Sequence, residues 1–151
     1  MVIGVSGAST AMKFMTGRSF FDSNILVYTD DSQASAKQES ALALWQTRRS
    51  AGLAVVSIQV LQEYYWSVTR KLAVDSSIAT EKLMLFARAD VMSPLADDVV
   101  SAARLSVEHK LSFWDAMIVQ MASQADCDVL FSEDMQAGRR FAALKIVNPF
   151  E

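Results

Sequence analysis

Along residues 19–150, short apolar runs alternate with longer stretches whose apolar positions recur three or four residues apart. The run FFDSN (20–24) opens this region as a β-rich segment. Residues 33–50 predict a helix with Ala36, Leu42, Leu44 and Trp45 apolar, and Gly52 stands where such a helix can end. LAVVS (53–57) reads as a strand, followed by a helix over 59–72 whose Val60, Leu61, Tyr64, Tyr65, Val68 and Leu72 share one broad face. A further helix is expected over 77–89, then a short strand DVMS (90–93) before Pro94. Residues 97–110 and 112–125 form two helices with almost no loop between them, and DVLFS (128–132) and LKIVNPF (144–150) are the closing strands. No repeat, linker or low-complexity block interrupts the pattern.

Strands alternating with helices predict an α/β fold with a mainly parallel sheet covered on both sides. In such sheets the chemistry belongs at the carboxyl ends of the strands. Four acids fall at or near those points. Asp22 ends the first strand, Glu63 opens the helix after the second, Asp134 follows the DVLFS strand, and Asp115 starts its own helix.

Each acid has an ordinary explanation. Ile118, Val119 and Ala122 fall within about 60° of Asp115 around the helix axis, so its carboxylate sits on an apolar stripe. A capping box with Ser112 as N-cap accounts for that equally well. Asp22, in Asp-Ser-Asn, suits a turn or a cap on whatever ILVY forms. Glu63 flanks an apolar helix face, with Arg70 as a weak ion-pair partner. Asp134, after Ser132 and Glu133, reads as helix-start chemistry.

Together they imply more. Four acids converging at strand ends repel by a few kcal/mol per close pair at an effective dielectric of about 20. Left bare, some would take up protons. Divalent cations remove that conflict. Oxygen-only ligands point to Mg²⁺ or Mn²⁺, whose charge of about +4 for two ions offsets about −4 from the carboxylates. The rest of the composition agrees, because one histidine (His109) and one cysteine (Cys127) cannot build a zinc site or an intrachain disulfide. His109, between Glu108 and Lys110, is expected at an exposed helix end, and Cys127 as a small apolar side chain before a strand.

At 151 residues and 52% hydrophobic, the chain has the size and balance of a compact globular domain. Its net charge of −3 gives no general basic field, so a polyanionic substrate needs local basic patches or cations. No apolar run is long enough to span a bilayer. The stretch MVIGVSGASTAMKFM places Lys13 after its apolar part, the reverse of a signal peptide. Cytoplasmic residence is therefore expected, with residues 1–17 a flexible leader, Met15 a candidate natural start, and 18–151 the folded domain. The GVSG fragment (4–7) lacks the flanking strand and placed histidine of a serine-nucleophile turn.

FFDSNILVY resembles the opening D-[TS]-N-hydrophobic motif of PIN-domain nucleases. VSIQVLQEYYW (Ser57, Glu63), LSFWDAMIVQMA (Asp115) and VLFSEDMQAG (Ser132, Asp134) resemble that family's second, third and fourth motifs, and VNPF is similar to its common ending. The likeness spans roughly residues 18–150 in order and spacing, and it is nearest to the VapC-type toxins of bacterial toxin–antitoxin pairs. Ser23 replaces the commoner threonine, residues 1–14 are extra, and Glu133 stands beside Asp134, of which the family pattern favours Asp134.

The resemblance implies a PIN-like three-layer α/β/α fold and a Mg²⁺- or Mn²⁺-dependent endoribonuclease. Asp22, Glu63 and Asp115 would hold the catalytic ion, Asp134 would help to hold a second ion or a water, and Asn24 and Ser132 would orient the carboxylates. It also implies a homodimer and a cognate antitoxin that inserts a segment into the active-site groove. For RNA, Arg48–Arg49, Arg139–Arg140 and Arg70–Lys71 are candidate contacts, although each pair also suits a solvated helix end. Trp66 and Trp114 could stack on bases or fill a core or dimer interface. Two other functions are considered. A PIN-like module that binds without catalysis would have no need of four gathered acids. An aspartyl-phosphate phosphatase with Asp22 as nucleophile would want an acid where Asn24 stands.

Overall fold

The structure is a computed structural model that describes residues 17–151. The expected leader, its GVSG fragment and Met15 lie outside the described residues, Gly17 excepted. In chain order the elements are β1 (Ser19–Phe21), α1 (Ser23–Tyr28), α2 (Ser35–Ser50), β2 (Ala54–Ser57), α3 (Ile58–Lys71) and α4 (Ser76–Phe86). β3 (Asp90–Met92), α5 (Ala96–His109), α6 (Phe113–Gln124), β4 (Val129–Phe131), β5 (Arg140–Phe141) and β6 (Leu144–Val147) complete them. Among the described residues no helix is long and apolar enough to cross a membrane.

The sheet runs β3-β2-β1-β4-β6-β5, parallel throughout except for β5, which pairs antiparallel with β6. The chain moves outward from β1 to β2 and β3, then returns to lay β4 on the other side of β1. The strand order therefore reverses between β1 and β4, the crevice where parallel sheets present ligand sites. Right-handed crossovers put α1 to α4 on one face and the packed α5–α6 pair on the other. The result is the mainly parallel, helix-covered sheet expected from the pattern.

Central position explains the apolar strands. Every residue of β1, β2 and β4 is buried because both faces are covered. Phe21 meets Trp45 of α2 edge-on at 5.0 Å, Trp45 meets Phe86 of α4 at 5.1 Å, and Phe86 meets Tyr64 of α3 at 4.9 Å. Such pairs add to the stabilisation that burial of each ring provides. Gly52 ends α2 in a left-handed conformation at φ 72°, as its position predicts. Cys127 is buried, and His109 ends α5 with its ring against Phe141.

Three expectations need correction. The β-rich run FFDSN stops as a strand at Phe21, because Asp22 caps a short helix. The last strand ends at Val147, where Asn148 accepts from the Phe150 N–H in a turn around Pro149. Asp134 starts no helix, since bends and turns lead from β4 to β5.

A polar lock joins the end of α1 to α3 and α4. Lys82 of α4 donates to Thr29 Oγ1 at 3.0 Å and to Asp30 at 3.1 Å, and the Tyr64 hydroxyl of α3 donates to the other Asp30 oxygen. The Lys82 and Asp30 side chains are only 21% and 14% exposed. Lys82→Met should therefore cost about 1–2 kcal/mol, more than a surface pair and less than a fully buried one. A lowered urea midpoint at constant slope would register it; an unchanged midpoint would show that the lock is not stabilising.

Candidate metal and phosphate site

Asp22 leaves the end of β1 with an extended backbone, and its own N–H still donates to Phe131 O of β4 at 3.0 Å. Its carboxylate is thereby pinned in the β1–β4 crevice, 5% exposed. Oδ1 accepts from the Ser23 N–H at 2.8 Å, and Oδ2 accepts from Ser132 Oγ at 2.8 Å and Asn24 Nδ2 at 3.1 Å. Burial pushes its pKa up to about 6. The Ser132 and Ser23 hydrogen bonds hold it from going higher, and the charges of Glu63 and Asp115 add to the rise. An acid on α3, one on α6 and one after β1 therefore share one field.

Glu63, half-buried in the second turn of α3, has both oxygens held. Ser23 Oγ donates to Oε2 at 3.0 Å and Gln59 Nε2 to Oε1 at 2.6 Å. The expected pairing with Arg70 does not form; that guanidinium stacks over the Trp66 ring at 4.1 Å. Asp115 is the third residue of α6. Ser112 caps the helix by accepting the Asp115 N–H at 3.1 Å, so only half of the expected capping box is made, and through the backbone. Capping thus leaves the half-buried carboxylate itself uncommitted to the cap.

The fourth acid resolves into two different neighbours. Glu133 is ion-paired with Lys37 and meets the Tyr28 hydroxyl. Burial alone would raise its pKa, but Lys37 and Tyr28 outweigh burial and lower it. Asp134 is exposed and accepts from Asn24 Nδ2 at 3.3 Å. Asn24 is the hub: its Oδ1 accepts from the Glu133 N–H at 3.0 Å while its amide NH₂ faces Asp22, Ser132 and Asp134. Ser132, fully buried, also accepts from the Met135 N–H at 3.3 Å.

The arginines divide. Arg48 lies half-buried with its guanidinium 5.8 Å from the Phe131 ring centroid and its Nη1 unpartnered, and burial lowers its pKa. Arg139 donates to His109 O at 2.6 Å and stacks on Phe141, so it caps the end of α5. Arg49 lines a groove with Thr29 and Lys82, and Arg140 is exposed. Among the described residues none of the four is ion-paired to the site acids. Trp114, 64% exposed, stands beside Asp115.

Chemically, the cluster is an oxygen-only donor set around a desolvated anion, which suits a hard divalent cation. Among the described residues no three His, Cys, Asp or Glu side chains close on one point as a ready ligand set. Ser23, Gln59, Ser132 and Asn24 hold the carboxylates meanwhile. Sequence reasoning missed Gln59 and Lys37. The i,i+4 spacing of Gln59 and Glu63 was the available signal for the first.

The family model for the PIN domain matches residues 19–143. The fold is similar to that of VapC20 from Mycobacterium tuberculosis, described as a sarcin-ricin loop cleaving toxin. The TM-score is 0.64 at 21% identity, over 77% of this chain and 91% of that one. It is also similar to VapBC2 from Rickettsia felis, solved bound to a DNA fragment from its promoter. There the TM-score is 0.57 at 18% identity, over 85% of this chain and 96% of that one. No curated protein matches the sequence. With its motifs in order around the β1–β4 crevice and the family model covering most of its length, the chain belongs to the PIN-domain family.

Proposed function

We propose that the protein is a Mg²⁺- or Mn²⁺-dependent endoribonuclease, the toxin of a toxin–antitoxin pair. The observation that carries this reading is the buried Asp22 carboxylate, its pKa raised to about 6 in the company of Glu63 and Asp115. A purely structural scaffold gains nothing from that conflict, whereas a cation site needs it.

In this reading Asp22, Glu63 and Asp115 are the ligands, with Asp134 assisting a second ion or an ordered water. When bound, the metal supplies Lewis acidity, acidifying water and offsetting charge on the scissile phosphate. The chain's own residues set the stage. Ser132 and Asn24 keep the Asp22 oxygens aimed into the crevice, and Ser23 joins Asp22 to Glu63. Lys37 draws the Glu133 carboxylate away, which favours Asp134 as the acid that serves the site. Arg49 and Arg140 are better RNA contacts than Arg48, Arg139 and Arg70, which already pack on aromatic rings.

VapC20, which shares the fold, is described as a sarcin-ricin loop cleaving toxin, and VapBC2 as bound to a DNA fragment from its promoter. Those relatives support the proposed toxin reading, in which RNA is the substrate, an antitoxin is the partner and the cytoplasm is the setting. The apolar groove between α3 and α4, lined by Ile58, Trp66 and Met84, supports the homodimer. A phosphatase reading finds no support, because Asn24 offers an amide where that chemistry wants an acid.

Purified protein should cleave RNA with added Mg²⁺ or Mn²⁺ and stop when excess chelator is present. Cleavage that persists in chelator would end the metal-dependent reading, and no cleavage under any metal would favour the binding module.

A further inference from the structure

We propose that Gln59 is a positioning residue of the carboxylate site: an amide strut that sets the separation between Glu63 on α3 and Asp115 on α6. The proposal rests on the metal reading above and adds a residue that the four motif acids do not include.

Both helices pack on β2, which sets their layers, but little direct contact sets the spacing of their acid-bearing turns. α3 lies in the layer of α1 to α4, α6 lies in the opposite layer with α5, and the two barely touch. Gln59 bridges them. One side-chain NH₂ donates to Glu63 Oε1 at 2.6 Å and to the carbonyl of Trp114 at 3.2 Å. Trp114 immediately precedes Asp115, so the second bond grips the turn that carries that acid. Among the described residues it is the one hydrogen bond joining α3 to α6.

The side chain suits the bridge. Both partners are acceptors, so the bridge needs two hydrogens on one atom, which a primary amide has and a carboxylate lacks. A thioether of similar length fills the space but donates nothing. The Glu63 oxygen opposite Gln59 is held by Ser23, whose N–H also holds Asp22. Removing the amide therefore frees one Glu63 oxygen and uncouples α6, while Asp22 keeps its Ser132 and Asn24 partners. Outer partners of this kind govern how tightly a ligand set grips its ion.

The test is Gln59→Met in the full chain, with Mn²⁺ titrated calorimetrically into the unaltered protein and the variant. The expected result is about tenfold weaker Mn²⁺ binding, the lower end of the range for outer partners. The thermal midpoint should stay within about 2 °C, because Gln59 is only half-buried on an early helical turn. Equal affinity in the two proteins overturns the strut while leaving the metal site intact. A midpoint lowered by more than about 5 °C alongside weaker binding assigns Gln59 a general structural role and also overturns it. If the unaltered protein itself gives no heat, the metal reading fails and the strut falls with it.

Discussion

Asp115→Asn should lower metal-dependent RNA cleavage by more than about 100-fold, since the proposed function makes Asp115 a ligand, whose loss costs more than that of an outer partner. Growth arrest on expression should disappear with it. The fold should survive for a stated reason. Ser112 caps α6 through the Asp115 backbone N–H, which asparagine retains. The acid's interaction with the helix dipole is worth only about 0.3–1 kcal/mol at such a position. Against that small loss stands relief of repulsion, because Asp115 is one of the charges raising the Asp22 pKa. The variant should therefore unfold at the same urea concentration as the parent or slightly higher, and bind Mn²⁺ weakly. Cleavage at the parental rate would remove Asp115 from the catalytic assignment. Loss of cleavage with a collapsed urea midpoint would mean that its role is structural.

The legible parts of this molecule are those decided locally. Strand and helix types follow from period, and the motif acids fall beside element ends, so Asp22, Glu63, Asp115 and Asp134 could be named from spacing. What escaped depends on partners distant in sequence. Lys37 and Glu133 are separated by 96 positions, and nothing near Glu133 announces that its carboxylate is taken. Gln59 finds the Trp114 carbonyl across 55 positions. The Glu63–Arg70 pairing failed because Arg70 is four residues from Trp66, and a flat guanidinium gains more on an exposed ring than by reaching a screened carboxylate. Arg48 and Arg139 read as surface cations, yet each lies against a phenylalanine. β5 carried no pattern, being Arg140–Phe141 alone, and exists only because β6 offers an edge. The switch between β1 and β4 is likewise a property of topology that no window of sequence contains.

Metal-free protein should lose stability as pH rises from about 4 to 7, the reverse of what most carboxylates impose. Asp22 ordinarily titrates near 3.8 but in the fold is raised to about 6. The folded state therefore keeps its proton in a range where the unfolded chain has released it. Stability from the neutral form is fully present below the unfolded pKa and is lost as pH climbs through the folded one. The whole difference is about 3 kcal/mol, of which about 1 kcal/mol falls between pH 5 and 7. Asp75 and Glu133, whose pKa values are lowered, pull the other way, but only below their ordinary values of 3.8 and 4.5. In the upper window Asp22 is unopposed by them. A divalent cation should erase the slope, since it binds the ionised carboxylate, and at a hundred times its Kd should restore about 2.7 kcal/mol at pH 7. Urea titrations at pH 5 and 7, with chelator and with Mn²⁺, read this directly. The slope should vanish in Asp22→Asn, which cannot ionise. A metal-free protein more stable at pH 7 than at pH 5, or a slope that persists in Asp22→Asn, would show that this carboxylate is not the strained anion on which a cation site depends.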